Sequence, residues 1–190
     1  MKAAARLTLA SLALAGAAAL VQCVPAAGSA LELSRPAVFT GQIWRVMTGQ
    51  LTHWSWAQWF WDALPLVIMT AVGAARSPAR TTAAIVASAV LVPLVVLAGC
   101  PWLSTYRGLS GIDAALYVFC GVMLYREARR QPRRRRALAL ALAGFGAKCV
   151  YEACTGGAVF ADARAAGVVT VPLAHLAGGC VGWVAAGRSR

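Results

Sequence analysis

The segment TTAAIVASAVLVPLVVLAG, residues 81–99, decides the class of this protein. It has no charged side chain, and its length approaches the about 20 apolar residues that an α-helix needs to cross a bilayer. Five further stretches come close to that length, at about residues 5–24, 54–75, 109–125, 137–154 and 168–187. The sequence therefore predicts an all-α membrane protein with six transmembrane helices, forming a single domain over residues 1–190.

The composition agrees with a chain whose solvent is largely lipid. The mean hydropathy is +0.67, with 60% hydrophobic and 13% charged residues, which is far more apolar than a soluble domain. A net charge of +12 would point to nucleic acid in a soluble protein. The positions of the charges indicate membrane topology instead, so the expected partner is the lipid bilayer and not nucleic acid.

Most of the 18 basic residues lie on alternate connections between the predicted helices. By the positive-inside rule these connections face the cytoplasm, which places both termini there. We interpret the Arg126–Arg136 run as a loop that sets topology, with anionic lipid headgroups and a nuclear signal as alternatives. The basic residues concerned are Lys2, Arg6, Arg76, Arg80, Arg126, Arg129, Arg130, Arg133, Arg134, Arg135, Arg136, Arg188 and Arg190.

Residues 5–24 and the cysteines leave two questions open. Leu20-Val21-Gln22-Cys23 loosely resembles a lipoprotein cleavage site, but the apolar run is long for a signal peptide, so a retained span is favoured. An oxidising compartment could join two of the cysteines near the outer boundaries, whereas the others look like packing residues. No cysteine–histidine spacing indicates a metal site, and no cofactor is expected. The cysteines near the outer boundaries are Cys23, Cys100 and Cys154, and those that look like packing residues are Cys120, Cys149 and Cys180.

The polar residues inside the predicted helices share one layer. Counted from the cytoplasmic arginine at each helix end, at about 1.5 Å per residue, they lie about 18–24 Å above that end. This is the outer half of a hydrocarbon core about 30 Å thick. Ionisable residues within a membrane are rare and usually functional, so a shared layer predicts one site. Its members are Ser110, His175, Asp62, Asp113, Lys148 and Glu152.

Ser110 and His175 are the candidate catalytic residues. A serine hydroxyl is a weak nucleophile until a base takes its proton, and histidine suits that task near neutral pH. Glycines beside Ser110 let backbone amides approach an oxyanion. Small residues after His175 at helical spacing allow the sixth helix to close on the fourth. These glycines are Gly108, Gly111, Gly178, Gly179 and Gly182.

Three motifs around these two residues can be compared with those of known families. They are Tyr106-Arg107-Gly108-Leu109-Ser110-Gly111, Lys148 with Tyr151-Glu152, and Val171-Pro172-Leu173-Ala174-His175-Leu176-Ala177-Gly178. These motifs resemble the rhomboid intramembrane serine proteases, and most closely their rhombosortase branch. The resemblance covers the chain from about residue 44 to residue 187. It implies a six-transmembrane-helix rhomboid-like bundle with a Ser–His dyad and no essential acid.

The resemblance also implies a substrate and a location. The substrate would be a membrane-anchored protein with a C-terminal Gly-Gly motif, a hydrophobic helix and a basic tail. The protease would be a multi-pass protein of the bacterial inner membrane, with cytoplasmic termini and cleavage near the outer face.

The second predicted helix departs from the rhomboid pattern. Rhomboids usually carry His-x-x-x-Asn there, whose side chains donate to the oxyanion, and the matching positions are Gln58 and Asp62. Gln58 can donate a hydrogen bond, whereas an ionised Asp62 can only accept one. Ala114 stands where rhomboids often have a tyrosine. The expected support for the oxyanion is Gln58 with the backbone at Gly108 and Leu109.

The remaining polar residues receive supporting roles. Asp62 and Asp113 are expected to pair with Lys148 or with polar backbone, and a hydrogen bond from one of them to the imidazole of His175 is the alternative. Lys148 and Glu152 are four residues apart on one helix face, which predicts an internal ion pair. His53 is interpreted as an interfacial residue beside an aromatic belt of tryptophans, with a docking surface for substrate as the alternative. The tryptophans are Trp54, Trp56, Trp59 and Trp61.

Two other functions compete with the protease. The departures at Gln58 and Asp62 allow an inactive rhomboid-like protein that binds or escorts membrane clients. The charged residues of the polar layer could also form the relay of a proton-coupled carrier. Inverted repeats would favour a carrier, and the sequence has no visible ones.

Overall fold

The computed structural model describes residues 1–157 and 170–187, which are almost entirely helical. In chain order the helices are α1 (Lys2–Cys23), α2 (Pro25–Leu31), α3 (Arg35–Phe39), α4 (Arg45–Thr48), α5 (Trp56–Ala74), α6 (Pro78–Gly99), α7 (Ser110–Glu127), α8 (Pro132–Thr155) and α9 (Pro172–Ala186). Two short strands, β1 (Leu33–Ser34) and β2 (Thr105–Tyr106), pair antiparallel, with Leu33 opposite Tyr106. Single 3₁₀ turns lie at Gly49–Leu51 and Ala128–Arg130. The predicted all-α class is confirmed.

Within the described part of the chain, three helices are long and apolar enough to cross a membrane: α1, α6 and α8. Helix α9 is also apolar but has 15 residues. Helix α7 carries Asp113, Arg126 and Glu127 among its 18 residues. These three helices are compatible with a membrane protein.

Local capping signals set several helix ends that hydropathy does not mark. Helix α6 begins at Pro78, before the predicted start at Thr81, because Ser77 accepts a hydrogen bond from the first turn and proline suits that turn. Helix α8 begins at Pro132, so Arg133–Arg136 form its first turn. The Arg126–Arg136 run is therefore mostly helical, with its arginines in the last turn of α7, the 3₁₀ turn and the first turn of α8 rather than in an open loop. Its role in setting topology stays a prediction. Residues 168 and 169 of the sixth predicted segment lie outside the described residues, as do Arg164, Arg188 and Arg190.

Helix α7 lies at the centre of the bundle and packs against α5, α6, α8 and α9. Nine of its residues are buried, and Leu116 and Phe119 are fully enclosed. Helix α8 is the opposite case, because its buried residues are Cys149 and Glu152 alone. An acid buried on a helix that is otherwise outward-facing needs a local partner.

Helices α7 and α9 run parallel with their backbones in close contact. A Cβ atom added at Gly178 would lie 2.1 Å from the carbonyl oxygen of Gly111, and one added at Gly182 would lie 2.0 Å from that of Ala115. Only glycine permits this approach, and small residues allow similar close contacts between transmembrane helices. The contact fixes the height of α9 relative to the first turn of α7.

The far end of α9 is held by two arginines. Arg80 of α6 donates to the carbonyl of Ala186 at 3.1 Å, and Arg126 of α7 donates to the same carbonyl at 2.9 Å. Arg126 also contacts the carbonyl of Gly187. Basic side chains at a helix C-terminus satisfy its free carbonyls and favour its dipole. The last turn of α9 is thus tied to α6 and α7.

All six cysteines are free thiols. Cys23 and Cys154 are exposed while Cys100 is buried, so the structure contains none of the disulfides that the sequence left open. Cys120 and Cys149 are buried, as expected of packing residues. Cys180 is exposed, and its interpretation as a packing residue is wrong.

Candidate active site

Ser110 is the first residue of α7, directly after a sharp turn. The turn depends on Gly108, whose φ of +116° lies in the left-handed region that favours glycine. A Cβ atom at Gly108 would lie 2.6 Å from Nε2 of Gln58 and 3.0 Å from Oδ2 of Asp62. Glycine therefore lets the chain before Ser110 pass directly over α5.

Gln58 and Asp62, one helical turn apart on α5, both bind that chain. Asp62 Oδ2 accepts a hydrogen bond from the backbone N–H of Leu109 at 3.0 Å. Gln58 Nε2 donates to the carbonyl of Arg107 at 3.3 Å, and its Oε1 accepts from the N–H of Trp54 at 2.8 Å. The structure brings both predicted residues beside the serine turn. The Leu109 amide is already bonded to Asp62, so it is not free to bind an oxyanion.

His53 is buried, so its interpretation as an interfacial residue is wrong. It is 2% exposed, and its Nε2 lies 3.3 Å from Asp62 Oδ2. The loop before α5 folds inward because the guanidinium of Arg107 donates to the carbonyl of His53 at 3.4 Å and stacks on the Trp54 ring at 4.2 Å. His53 precedes the helix, so no helical spacing could have linked it to Asp62.

The predicted tryptophan belt is divided between two environments. Trp56 and Trp61 are about half exposed, as expected for an interfacial belt. Trp59 instead donates through its indole N–H to the carbonyl of Ala15 at 3.0 Å, and so ties α5 to α1.

The strand pair leads into the serine turn and fixes its approach. Arg107, next to β2, forms an ion pair with Glu32 at 2.7 Å, which ties the turn to the end of α2. Tyr106 is buried beside Ser110. Burial raises the pKa of the Tyr106 phenol well above its ordinary value, and the adjacent Ser110 hydroxyl opposes that rise. The phenol is therefore neutral at the serine.

His175 lies in the first turn of α9 and is held from α8. Its Nδ1 lies 2.8 Å from Oε2 of Glu152 and 3.2 Å from Nζ of Lys148. Lys148 Nζ lies 2.8 Å from Oε1 of Glu152, which confirms the predicted ion pair. Glu152 is 2% exposed. The spacing in the sequence predicts the pair of Glu152 with Lys148, but the contact of Glu152 with His175 joins two helices and has no such signal.

Neither Asp62 nor Asp113 binds the imidazole. Asp62 turns to Leu109 and His53, and both carboxylate oxygens of Asp113 are buried without a hydrogen-bond partner among the described residues. Depth along a helix places a residue in a layer, but the direction around the helix decides which side chains meet. The carboxylate beside His175 is thus Glu152.

Ser110 and His175 lie at the same end of the two contacting helices. Gly178 packs on the carbonyl of Gly111. His175 lies three residues before Gly178 and Ser110 one residue before Gly111, so at about 1.5 Å per residue the two differ by only about 3 Å along the helix axis. His175 and Gly178, three residues apart, share a helix face. No hydrogen bond joins the hydroxyl and the imidazole in the described structure, and catalytic hydrogen bonds are often long without substrate.

The ring nitrogen left for Ser110 is Nε2, because Nδ1 takes both contacts with α8. The first backbone amides of α7, those of Ser110 and Gly111, have no partner within the helix. The positive end of the helix dipole also points at this position. Together these groups can activate a hydroxyl and hold a developing negative charge.

Comparison of the chain with models of protein families and with curated proteins finds no match.

Proposed function

We propose that the chain is a rhomboid-like protein of six transmembrane helices and an intramembrane serine endopeptidase of the rhombosortase type. Beyond α1, α6 and α8, the other three spans would be α5, α7 and α9. Helices α5 and α7 carry polar residues of the candidate site, which lowers their hydropathy. The alternation of basic connections supports cytoplasmic termini, with Ser110 opening toward the outer face.

The contact between Gly111 and Gly178 is the observation that carries this proposal. It draws the turn bearing His175 onto the turn bearing Ser110, at a separation that larger residues would prevent. Packing alone does not require a serine and an imidazole at the same end of such a contact. A nucleophile and its base do require it.

The chemistry follows from these positions. The Ser110 Oγ attacks the substrate carbonyl while Nε2 of His175 takes its proton, and the imidazolium then gives that proton to the leaving amine. Gln58 Nε2 and the amides of Ser110 and Gly111 stabilise the tetrahedral oxyanion. Water, deprotonated by His175, hydrolyses the acyl-enzyme and restores the Ser110 hydroxyl.

The proposed substrate is a single-span membrane protein with a C-terminal Gly-Gly motif, a hydrophobic helix and a basic tail. Its cleavage would take place near the outer face of the bacterial inner membrane. The resemblance of the serine and histidine motifs to rhombosortases supports this choice.

A second candidate function is an inactive rhomboid-like protein that binds membrane clients. Two observations favour it: the Leu109 amide is bonded to Asp62, and Ser110 forms no hydrogen bond with His175. This protein would bind the same single-span segment without cleaving it.

The test is cleavage of a single-span reporter with a Gly-Gly C-terminal segment, in membranes, together with labelling by a fluorophosphonate probe. Ser110→Ala and His175→Ala should each remove nearly all cleavage, and the double variant should lose little more, because the two residues act as a unit. Ser88→Ala is the matched control, since Ser88 is a buried helical serine bonded to its own helix at Ala84. Undiminished cleavage by Ser110→Ala would refute the protease, whereas reporter binding without cleavage by the parent would favour the client-binding protein.

A further inference from the structure

We propose that Glu152 is a positioning residue for His175, so that the site works as a serine–histidine–glutamate arrangement rather than a dyad. This inference rests on the proposed protease function. It assigns to α8, the most outward-facing of the helices around α7, a direct part in setting the catalytic base.

The geometry gives Glu152 two distinct contacts. Oε2 lies 2.8 Å from Nδ1 of His175, and Oε1 lies 2.8 Å from Nζ of Lys148. Both distances are short enough for charge-assisted hydrogen bonds. The side chain is 2% exposed, and a buried carboxylate is strongly unfavourable unless it is paired and hydrogen-bonded. Each oxygen of Glu152 is therefore used.

The hydrogen-bonding rules assign the proton of the imidazole. A carboxylate only accepts and an ammonium group only donates, so Nδ1 can bond one of the two at a time. Glu152 is nearer, at 2.8 Å against 3.2 Å for Lys148. Nδ1–H therefore donates to Glu152, and the unprotonated nitrogen is Nε2, the one left to act as the base for Ser110.

Lys148 acts on Glu152 and opposes its effect on His175. Its ammonium group stabilises the ionised carboxylate and fixes its orientation. The same positive charge, 3.2 Å from the imidazole, disfavours the imidazolium that forms when Ser110 loses its proton. Glu152 favours that imidazolium. The two side chains thus act on His175 in opposite directions.

The other elements around α9 add few charges near the imidazole. Helix α7 contributes Asp113, which is buried, and Tyr117, whose hydroxyl donates to the carbonyl of Ala141 at 3.0 Å. The titratable side chain of α6 is Arg80, which lies at the opposite end of α9. Among the residues that the structure describes, the charges nearest to His175, apart from Asp113, therefore come from α8.

During the reaction the proton of Ser110 passes to Nε2 of His175, and no proton is transferred to Glu152. The imidazolium keeps its Nδ1–H bond to Glu152, which stays ionised and stabilises the new positive charge. The proton then leaves from Nε2 to the departing amine. In other serine hydrolases, replacing the orienting acid by its amide costs about 10⁴-fold in kcat.

The experiment compares Glu152→Gln, Glu152→Asp and Lys148→Met in the full chain, using reporter cleavage to obtain kcat, KM and their pH dependence. Glu152→Gln should lose about 10²–10⁴-fold in kcat with little change in KM, because Glu152 does not touch the substrate. The acid limb of kcat/KM should move to lower pH, since the imidazolium loses its counter-ion. Glu152→Asp should recover part of the rate. Lys148→Met should move the acid limb to higher pH.

The matched control is Glu127→Gln, which removes a carboxylate paired with Arg76 at the opposite end of α7. It should leave kcat and the acid limb unchanged. A Glu152→Gln protein with parental kcat and an unmoved acid limb overturns the inference while the protease stands, provided that Ser110→Ala is inactive. If Glu152→Gln does not accumulate, Glu152→Asp decides: a lower kcat with an unchanged KM supports the inference, and parental kcat with an unmoved acid limb overturns it.

Discussion

Gly178→Ala tests whether the contact between α7 and α9 aligns Ser110 with His175, the proposed catalytic pair. The added Cβ would lie 2.1 Å from the carbonyl oxygen of Gly111, below the 3.0 Å that real Cβ contacts essentially always exceed. The obstacle is backbone, so the helices must separate by roughly 1 Å, and a misplacement of about 1 Å can cost about 10²-fold in rate. We expect reporter cleavage by Gly178→Ala to fall about 10²-fold in kcat.

The matched control is Gly146→Ala on α8, where an added Cβ meets nothing within 4 Å. This change should leave cleavage at the parental rate and favour the helix by about 1 kcal/mol. Both proteins are compared at equal amounts of folded enzyme, measured by thermal unfolding in detergent. Parental cleavage by folded Gly178→Ala would refute the proposed alignment.

Three further predictions concern the oxyanion, the serine turn and the topology. Gln58→Ala should reduce kcat by about 10²–10³-fold without abolishing cleavage, because it removes one oxyanion donor; a change in KM alone would contradict that role. Asp62→Ala should destabilise the protein by about 1–3 kcal/mol in detergent unfolding, because the buried Leu109 amide loses its acceptor. Asp62→Asn keeps an acceptor and should lose less stability, and equal losses would contradict the hydrogen bond from Leu109 to Asp62. Reporter fusions after Arg130 should behave as cytoplasmic and fusions at Gly157 as external, and the reverse pattern would place Ser110 at the wrong face.

Hydropathy was sufficient to predict the long helices but not what joins them. Apolar runs of about 20 residues marked all six long helices, because length and apolar composition can be read directly from the sequence. The β1–β2 pair and the short helices between α1 and α5 lack such a signal. They are held by individual contacts such as Arg107 with Glu32, between residues far apart in sequence. Spacing rules describe neighbours on one helix and cannot find such contacts.

The candidate site was predicted in its layer but not in its pairing. Counting residues along each helix placed Glu152 and the two aspartates at similar depth, since rise per residue is nearly constant. Which carboxylate reaches His175 depends on how α8 is rotated against α9. That rotation follows from packing of whole helices, so the only carboxylates that the sequence offered to His175 were Asp62 and Asp113, where the structure has Glu152.

The arginines that hold the last turn of α9 also belong to the basic residues expected to orient the chain in the membrane. Arg80 and Arg126 bind the carbonyl of Ala186, so under the proposed topology the same two charges would serve both insertion during synthesis and helix docking afterwards. The two tasks cannot be altered separately by substitution. A variant made to invert the topology by neutralising Arg126 would also free the end of the helix that carries His175. Lost cleavage in such a variant would therefore have two causes, and charges added elsewhere, with Arg80 and Arg126 intact, are the cleaner way to change orientation.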